Sequence, residues 1–212
     1  MDRFPNRFVA GRVLARMLAA YENQPGILVL GLPRGGVPVA YEVARGLNAP
    51  LDVFIVRKLG VPGQEELAMG AIASGGVRIL NDAVIQELRI SPGVIDAVTL
   101  HERVELTRRE ELYRGERPPL NVSGHSVFVV DDGLATGASM RAAVAALRLQ
   151  DPARIIVAVP VAAAETYAVI KGEADEVVCA ATPEPFYSVG RWYEDFGQTT
   201  DAEVKELLRE YA

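Results

Sequence analysis

Three features of this 212-residue sequence predict an α/β fold, with a mostly parallel central sheet and helices on both of its faces. The predicted strands are apolar along their whole length, as strands buried on both faces are. Segments with the 3.6-residue period of a helix alternate with these strands. Neither an internal repeat nor a low-complexity tract interrupts this order. The pattern therefore predicts a single domain over residues 1–212.

The first half of the chain predicts two helix–strand units, followed by a loop and a hairpin. Residues 59–70 show no clear period and predict the long loop, while two adjacent glycines mark the hairpin turn. Asp82 is expected to cap a short helix after the hairpin. The bounds are helix 6–21, strand 26–32, helix 37–47, strand 51–58, loop 59–70 and hairpin 71–80.

The second half of the chain predicts alternating helices and strands. A long helix opens with proline and closes with glycine, as helices commonly do. Asp201 is the predicted cap of the last helix. The bounds are helix 91–115, strand 126–132, helix 138–150, strand 154–161, helix 163–172, strand 175–181 and helix 201–211.

Composition limits the classes of function. The net charge of −6 argues against a broad nucleic-acid surface, which needs clustered cations. The longest apolar run, residues 155–164, is interrupted by Pro160 and is too short to cross a bilayer, so no membrane partner is expected. The single cysteine, Cys179, excludes a disulfide within the chain, and this favours a reducing cytoplasm.

The stretch VFVVDDGLATGAS, residues 127–139, carries the clearest functional signal. It runs from an apolar strand into two adjacent carboxylates, Asp131 and Asp132, and then through a glycine-containing loop into a helix. In open α/β folds, ligands collect at the carboxyl ends of the strands. Backbone N–H groups at a helix start favour a phosphate, and Thr136 and Ser139 add hydroxyl donors. The aspartates would repel that phosphate, but they suit the vicinal diol of a sugar.

A phosphorylated ribose therefore fits these residues, with its phosphate in the loop and its hydroxyls on the acidic pair. The structural alternative is that the aspartates only cap the following helix, and that the glycines only serve the turn.

These thirteen residues resemble the signature of the type I phosphoribosyltransferases, a Rossmann-like family that uses 5-phosphoribosyl-1-diphosphate (PRPP). The order of strands and helices agrees with that family over most of the chain. The resemblance implies that Asp131 and Asp132 bind the ribose 2′- and 3′-hydroxyls. It assigns the 5′-phosphate to five loop residues, which are Ala135, Thr136, Gly137, Ala138 and Ser139.

The family binds the diphosphate of PRPP in a short loop after the first core strand. Here that loop is LPRGG, residues 32–36, where Arg34 offers a guanidinium fork. Gly35 and Gly36 allow close backbone approach at the start of a helix. Alternatively, the loop is only a tight strand-to-helix connection with an exposed arginine.

Two basic residues, Arg57 and Lys58, end the second predicted strand. The family often has a basic residue here, followed by a mobile loop that closes over the substrates, so residues 58–76 predict a lid. Alternatively, these residues form a surface loop with a solvated Arg–Lys pair.

The C-terminal stretch 182–198 is rich in aromatic residues and is predicted to form a small hood with the other terminal segment. It vaguely resembles the base-stacking segment of purine-salvaging members, which would give Tyr187, and with it Trp192, a role at a planar acceptor. Glu194 or Asp195 would then join the acidic pair beside a PRPP-bound Mg²⁺. An aromatic cluster that seals the edge of the core is the equal alternative.

The reaction implied by the resemblance is Mg²⁺-dependent transfer of the phosphoribosyl group from PRPP to a nitrogenous acceptor, with release of diphosphate. Arg34 and Lys58 would neutralise the leaving group. Hypoxanthine-type members usually carry aspartate at the position of Ala135, so 6-oxopurines are disfavoured, while adenine, a pyrimidine or an unusual acceptor stays open. A non-catalytic PRPP- or nucleotide-binding regulator, a structural subunit in PRPP synthesis, hydrolysis with water as the acceptor, and a homo-oligomer also stay open.

Overall fold

A five-stranded parallel sheet forms the centre of the computed structural model, which describes residues 3–211. The strand that precedes the acidic pair is the middle one, as its apolar sequence predicts. In spatial order the strands are β2 (Leu51–Val53), β1 (Ile27–Gly31), β6 (Ser126–Val130), β7 (Arg154–Val161) and β8 (Glu176–Ala181). This architecture confirms the predicted fold class.

Successive residues of the central strands point into two different cores. In β6, Phe128 and Val130 pack into one core, while Val127 and Val129 pack into the other. All four side chains are fully buried, because helices cover both faces of the sheet. The sheet edge beyond Val130 is therefore the place where the chain leaves the core.

The two cores are built by different helices. The helices are α1 (Arg7–Met17), α2 (Gly36–Leu47), α3 (Asp82–Glu87), α4 (Pro92–Arg114), α5 (Ala138–Arg148), α6 (Ala164–Glu173) and α7 (Asp201–Arg209), and short 3₁₀ turns cover Ala19–Tyr21 and Val189–Trp192. One core contains residues of α1, α2, α4 and α7, and the other contains residues of α5 and α6.

The prediction of a long loop over residues 59–70 is wrong. The chain instead forms an antiparallel sheet of β3 (Val56–Val61), β4 (Gln64–Ala73) and β5 (Val77–Leu80). The amino-terminal end of β4 is exposed, so its sequence lacks the apolar alternation that reveals a strand. The strand predicted over residues 51–58 is interrupted after Val53 and joins both sheets. The hairpin turn at Gly75 and Gly76 is confirmed, with φ of 85° and 76°.

Two predicted helix caps are each shifted by one residue. Asn81, not Asp82, accepts a hydrogen bond from the Val84 amide at 3.3 Å. Thr200, not Asp201, accepts one from the Glu203 amide at 3.2 Å. Both predicted residues occupy the first helical position instead, where a carboxylate still interacts favourably with the helix dipole.

The two terminal segments meet at the carboxyl edge of the parallel sheet. The Phe4 amide donates to the Trp192 carbonyl, and the Glu194 amide donates to the Phe4 carbonyl, both at 2.8 Å. Residues around Phe4 and Tyr193 form a third, smaller apolar cluster. Between residues 3 and 211, no helix has the length and apolar character that crossing a membrane requires.

Candidate active site

The loops after β1 and β6 meet at the carboxyl edge of the sheet because these strands are parallel neighbours. Gly31 pairs with Val130, and the Leu32 amide donates to the Val130 carbonyl at 2.9 Å. The LPRGG loop and the acidic pair therefore leave the sheet side by side. Their proximity depends on this strand order, which brings two segments that are distant in sequence into one site.

The acidic pair does not cap the following helix. Helix α5 begins at Ala138, and its N-cap residue is Gly137, with a φ of 69° and no side-chain capping bond. Asp131 Oδ1 accepts from the Asp132 amide at 2.8 Å, and Asp132 Oδ2 accepts from Arg7 Nε at the same distance. Within residues 3–211, no protein group donates to Asp131 Oδ2 or to Asp132 Oδ1. Each carboxylate thus keeps one oxygen free for a ligand.

Burial and mutual repulsion make this pair costly to ionise. Burial, followed by the negative charge of Asp132, raises the pKa of Asp131 well above its ordinary value. Burial also raises the pKa of Asp132, although the Arg7 guanidinium opposes that rise. The two carboxylates therefore differ, because in residues 3–211 only Asp132 has an ion-pair partner.

Arg7 reaches the acidic pair from the first position of α1. The Arg7 and Asp132 side chains are only 11% and 15% exposed. The guanidinium also donates to the Gly197 carbonyl at 2.7 Å and lies 3.8 Å from the centre of the Phe196 ring. The Tyr193 hydroxyl donates to the Asp132 carbonyl at 2.6 Å. Residues near both ends of the chain thus hold Asp132 in place.

The LPRGG loop packs directly on the acidic pair. A Cβ atom on Gly35 would lie 2.1 Å from Asp132 Oδ2, and one on Gly36 would lie 2.7 Å from the Val130 carbonyl oxygen. The Arg34 and Gly35 amides have no acceptor in the described part of the chain. The Arg34 guanidinium lies 3.7 Å from Asp201 Oδ1 and is partly exposed. The loop thus packs its glycine backbone on the carboxylates and also carries two free N–H groups and a partly exposed cation.

The loop before α5 has the features of an anion site. Ala135, Thr136, Ala138 and Ser139 are exposed, and within residues 3–211 the Thr136, Gly137 and Ser139 amides have no hydrogen-bond acceptor. The Thr166 hydroxyl fixes the loop by donating to the Ala135 carbonyl at 2.5 Å. These free N–H groups at a helix start would suit a phosphate.

A cavity of about 480 Å³ separates the β3–β4 hairpin from this loop. Its lining includes Lys58 and Glu66 on the hairpin and Thr136 and Ser139 on the loop. Lys58 Nζ lies 3.4 Å from Glu66 Oε2. Arg57 does not line this cavity; it donates to Glu102 of α4 at 2.7 Å. Lys58 is therefore the basic residue that faces the loop, and movement of the hairpin as a lid stays a prediction.

The aromatic segment gives its residues different surroundings. Tyr187 is 70% exposed, and the Arg191 guanidinium lies 4.8 Å from the centre of its ring. Trp192 packs on the small cluster around Phe4 and Tyr193, and its indole Nε1 is buried without a partner in residues 3–211. Tyr187 thus has an accessible ring, whereas Trp192 joins the structural cluster.

The described residues contain no group of three or more histidine, cysteine or acidic side chains that could hold a metal ion. Glu194 and Asp195 are not buried, and Asp195 Oδ1 accepts from the Gly197 amide at 3.0 Å. Asp131 and Asp132 offer two free oxygens. Such a donor set fits Mg²⁺ that is held by one or two carboxylates together with substrate phosphates.

Sequence reasoning missed three residues of this site: Arg7, Tyr193 and Asp201. Asp201 contacts Arg34 and also accepts from the Tyr113 hydroxyl at 2.6 Å. Arg7 and Asp201 lie in no functional motif. Tyr193 lies in the aromatic stretch 182–198, but its contact with Asp132, like the contacts of the other two residues, follows from the chain topology.

The fold and the site together define a class of protein: a Rossmann-like α/β protein whose sheet edge presents two loops with unpaired backbone N–H groups beside a carboxylate pair. The family model described as the phosphoribosyl transferase domain matches residues 5–188 of this sequence. The chain therefore belongs to the phosphoribosyl transferase family.

Similar proteins agree with this assignment. Two curated Mycobacterium tuberculosis proteins, named provisionally as phosphoribosyl transferases, are 48% identical over 98% of the chain, which spans about half (47%) of their length. A bifunctional protein PyrR of Chloroflexus aurantiacus is 33% identical over 59% of the chain and 65% of its own length. The crystal structure of TT1426 from Thermus thermophilus is 44% identical, covers 99% of both chains and has a TM-score of 0.88.

Proposed function

We propose that this protein transfers the 5-phosphoribosyl group from PRPP to a nitrogenous acceptor, with a nucleobase as the expected class, and releases diphosphate. The observation that carries the proposal is the pair of free carboxylate oxygens, one on Asp131 and one on Asp132. They lie between two loops with unpaired backbone N–H groups. A diol flanked by two phosphate groups matches this order of acceptors and donors.

In the proposed complex, the ribose hydroxyls donate to the free oxygens of Asp131 and Asp132. The 5′-phosphate accepts from the amides of residues 135–139 and from the Thr136 and Ser139 hydroxyls. The diphosphate accepts from the amides of the LPRGG loop. These contacts fix the donor in one orientation, which lowers the entropic part of the barrier.

The bond from ribose C1 to the diphosphate oxygen breaks as the acceptor nitrogen forms a bond to C1, and any proton on that nitrogen leaves to solvent. Positive charge develops on the ribose, and negative charge collects on the leaving diphosphate. Arg34 and Lys58 would stabilise that negative charge. Asp131 and Asp132 would hold Mg²⁺, which would supply further charge neutralisation. No covalent intermediate with the protein is required.

The second candidate function is a PRPP- or nucleotide-binding regulator. The free hydrogen-bonding groups of the donor site would serve both functions, whereas only the enzyme requires an acceptor. Mg²⁺ dependence, a cytoplasmic location and a homo-oligomer remain predictions.

The experiment that tests the donor site is a calorimetric titration with PRPP and Mg²⁺, compared with ribose 5-phosphate and diphosphate alone. Asp131→Asn with Asp132→Asn should abolish PRPP binding while the fold persists. Unchanged affinity in this double variant would refute the assignment. Diphosphate release with one of a panel of nucleobases would then separate the enzyme from the regulator.

A further inference from the structure

Arg7 joins parts of the molecule that are far apart in sequence. It lies at the start of α1, contacts Asp132 at the end of β6, and contacts Phe196 and Gly197 near the C-terminus. It is the one cation paired with either aspartate in residues 3–211. The side chain is almost fully buried, so solvent does not substitute for these contacts.

The contact with Arg7 decides which oxygen of Asp132 can reach a ligand. The Arg7 guanidinium and the backbone of Gly35 enclose Oδ2, because a Cβ on Gly35 would lie 2.1 Å from that oxygen and 3.3 Å from Arg7 Nε. A carboxylate group rotates readily about its terminal bond. With Oδ2 held, Oδ1 is the atom that stays free.

The same contact changes the charge that a polyanionic donor meets. Two adjacent carboxylates without a counter-ion would repel the phosphates of PRPP, and this repulsion is strengthened where water is excluded. Arg7 offsets one of the two negative charges from the side opposite the free oxygen. It can do so without occupying the position of the diol.

We propose that Arg7 is a positioning residue of the donor site, which orients Asp132 toward the ribose hydroxyls and reduces the repulsion between the acidic pair and the phosphates of PRPP. This inference rests on the proposed function, because it concerns the same ligand. It extends the site to the first helix, where no sequence motif points.

Arg12 supplies a matched control for the general effect of an ion pair in α1. Its guanidinium donates to Glu42 at 2.7 Å, and the Glu42 side chain is only 5% exposed. Arg12 has no contact with the acidic pair. Arg12→Ala therefore removes an ion pair with a buried carboxylate from the same helix and leaves the site intact.

The experiment measures the PRPP dissociation constant in the presence of Mg²⁺ for wild type, Arg7→Ala, Arg7→Lys and Arg12→Ala. Arg7→Ala should weaken binding by about tenfold or more, which corresponds to about 1.4 kcal/mol. Millimolar guanidinium should restore much of the affinity of Arg7→Ala by filling the space of the lost side chain, whereas sodium chloride at the same concentration should not. Arg7→Lys should bind with intermediate affinity because it keeps the charge without the planar donor group.

The outcomes separate this inference from the proposed function. If wild type does not bind PRPP, the proposed function fails, and the role of Arg7 fails with it. If wild type binds PRPP and Arg7→Ala binds equally well, only the role of Arg7 is overturned. A loss that guanidinium does not rescue, and that Arg7→Lys shares in full, would show a structural role and overturn the inference. Weakening in Arg12→Ala of the same size would also overturn it.

Discussion

Replacing the two glycines of the LPRGG loop one at a time should separate ligand binding from folding. Neither glycine has a positive φ, so the reason for glycine is space. At Gly36, an alanine methyl would lie 2.7 Å from the Val130 carbonyl oxygen and 2.9 Å from the Asp131 Cα. At Gly35, it would lie 2.1 Å from Asp132 Oδ2, which is the end of a side chain.

The two steric clashes can be relieved to different extents. Backbone atoms of the central strand cannot move aside, so Gly36→Ala should destabilise the fold toward the upper end of the ~1–3 kcal/mol that overpacking costs. The Asp132 side chain can rotate away, so Gly35→Ala should cost about 1 kcal/mol. However, this rotation breaks the contact with Arg7 and removes the free oxygen from its place. PRPP affinity should therefore fall by about tenfold or more.

Thermal unfolding and a PRPP titration measure the two effects separately. For a chain of this size, 1 kcal/mol shifts the melting temperature by about 2–4 °C. Gly172→Ala is the control, because this glycine lies in α6 with no atom within 4 Å of an added Cβ, and it should stabilise slightly. The reasoning would be refuted if Gly35→Ala bound PRPP as tightly as wild type.

Three further predictions concern single side chains. Because the folded-state pKa of Asp131 is raised, its contribution to stability is fully present below the ordinary aspartate pKa and is lost as pH rises through the folded value. Asp131→Asn should therefore stabilise the protein by roughly 1 kcal/mol at about pH 7.5 but not in acid. Thermal unfolding measured across pH tests this. Asp201→Asn should lower the pKa of Tyr113 from about 12. Burial, the largest cause of the raised pKa, remains in this variant, but the negative charge is removed and the hydrogen bond is weakened. An alkaline absorbance titration, compared with that of Tyr113→Phe, measures the change. Tyr187→Ala should weaken binding of the acceptor more than binding of PRPP, and equal weakening would assign its ring a structural role.

The parallel sheet could be predicted from the sequence because its strands are buried on both faces. Uninterrupted apolar runs such as residues 127–130 report that burial directly. The β3–β4 hairpin could not be predicted, because its solvent-exposed half carries polar residues, and two glycines, Gly60 and Gly63, lie at its turn. Strand pairing there depends on hydrogen bonds to neighbouring strands, which leave no apolar period in the sequence.

The candidate site likewise contains residues that the sequence predicts and residues that it does not. Asp131, Asp132 and the loop that follows could be recognised because their chemistry lies in one continuous stretch. The contacts of Arg7 and Tyr193 with Asp132 could not be predicted, because the two residues come from opposite ends of the chain and lie together where the terminal segments pair at Phe4. Long-range contacts of this kind follow from topology, and a single sequence carries no local signal for them.

The free-energy cost of the acidic pair is itself an argument for a ligand. Two carboxylates are placed side by side at the end of a fully buried central strand, and burial together with repulsion disfavours their ionised forms. A structural role would require hydrogen bonds that offset this cost. Within residues 3–211 the structure instead gives the pair one cation and one backbone amide, no helix to cap, and one free oxygen on each residue. A ligand with two adjacent hydroxyl donors would supply the missing partners, and this is the arrangement that the ribose of PRPP offers.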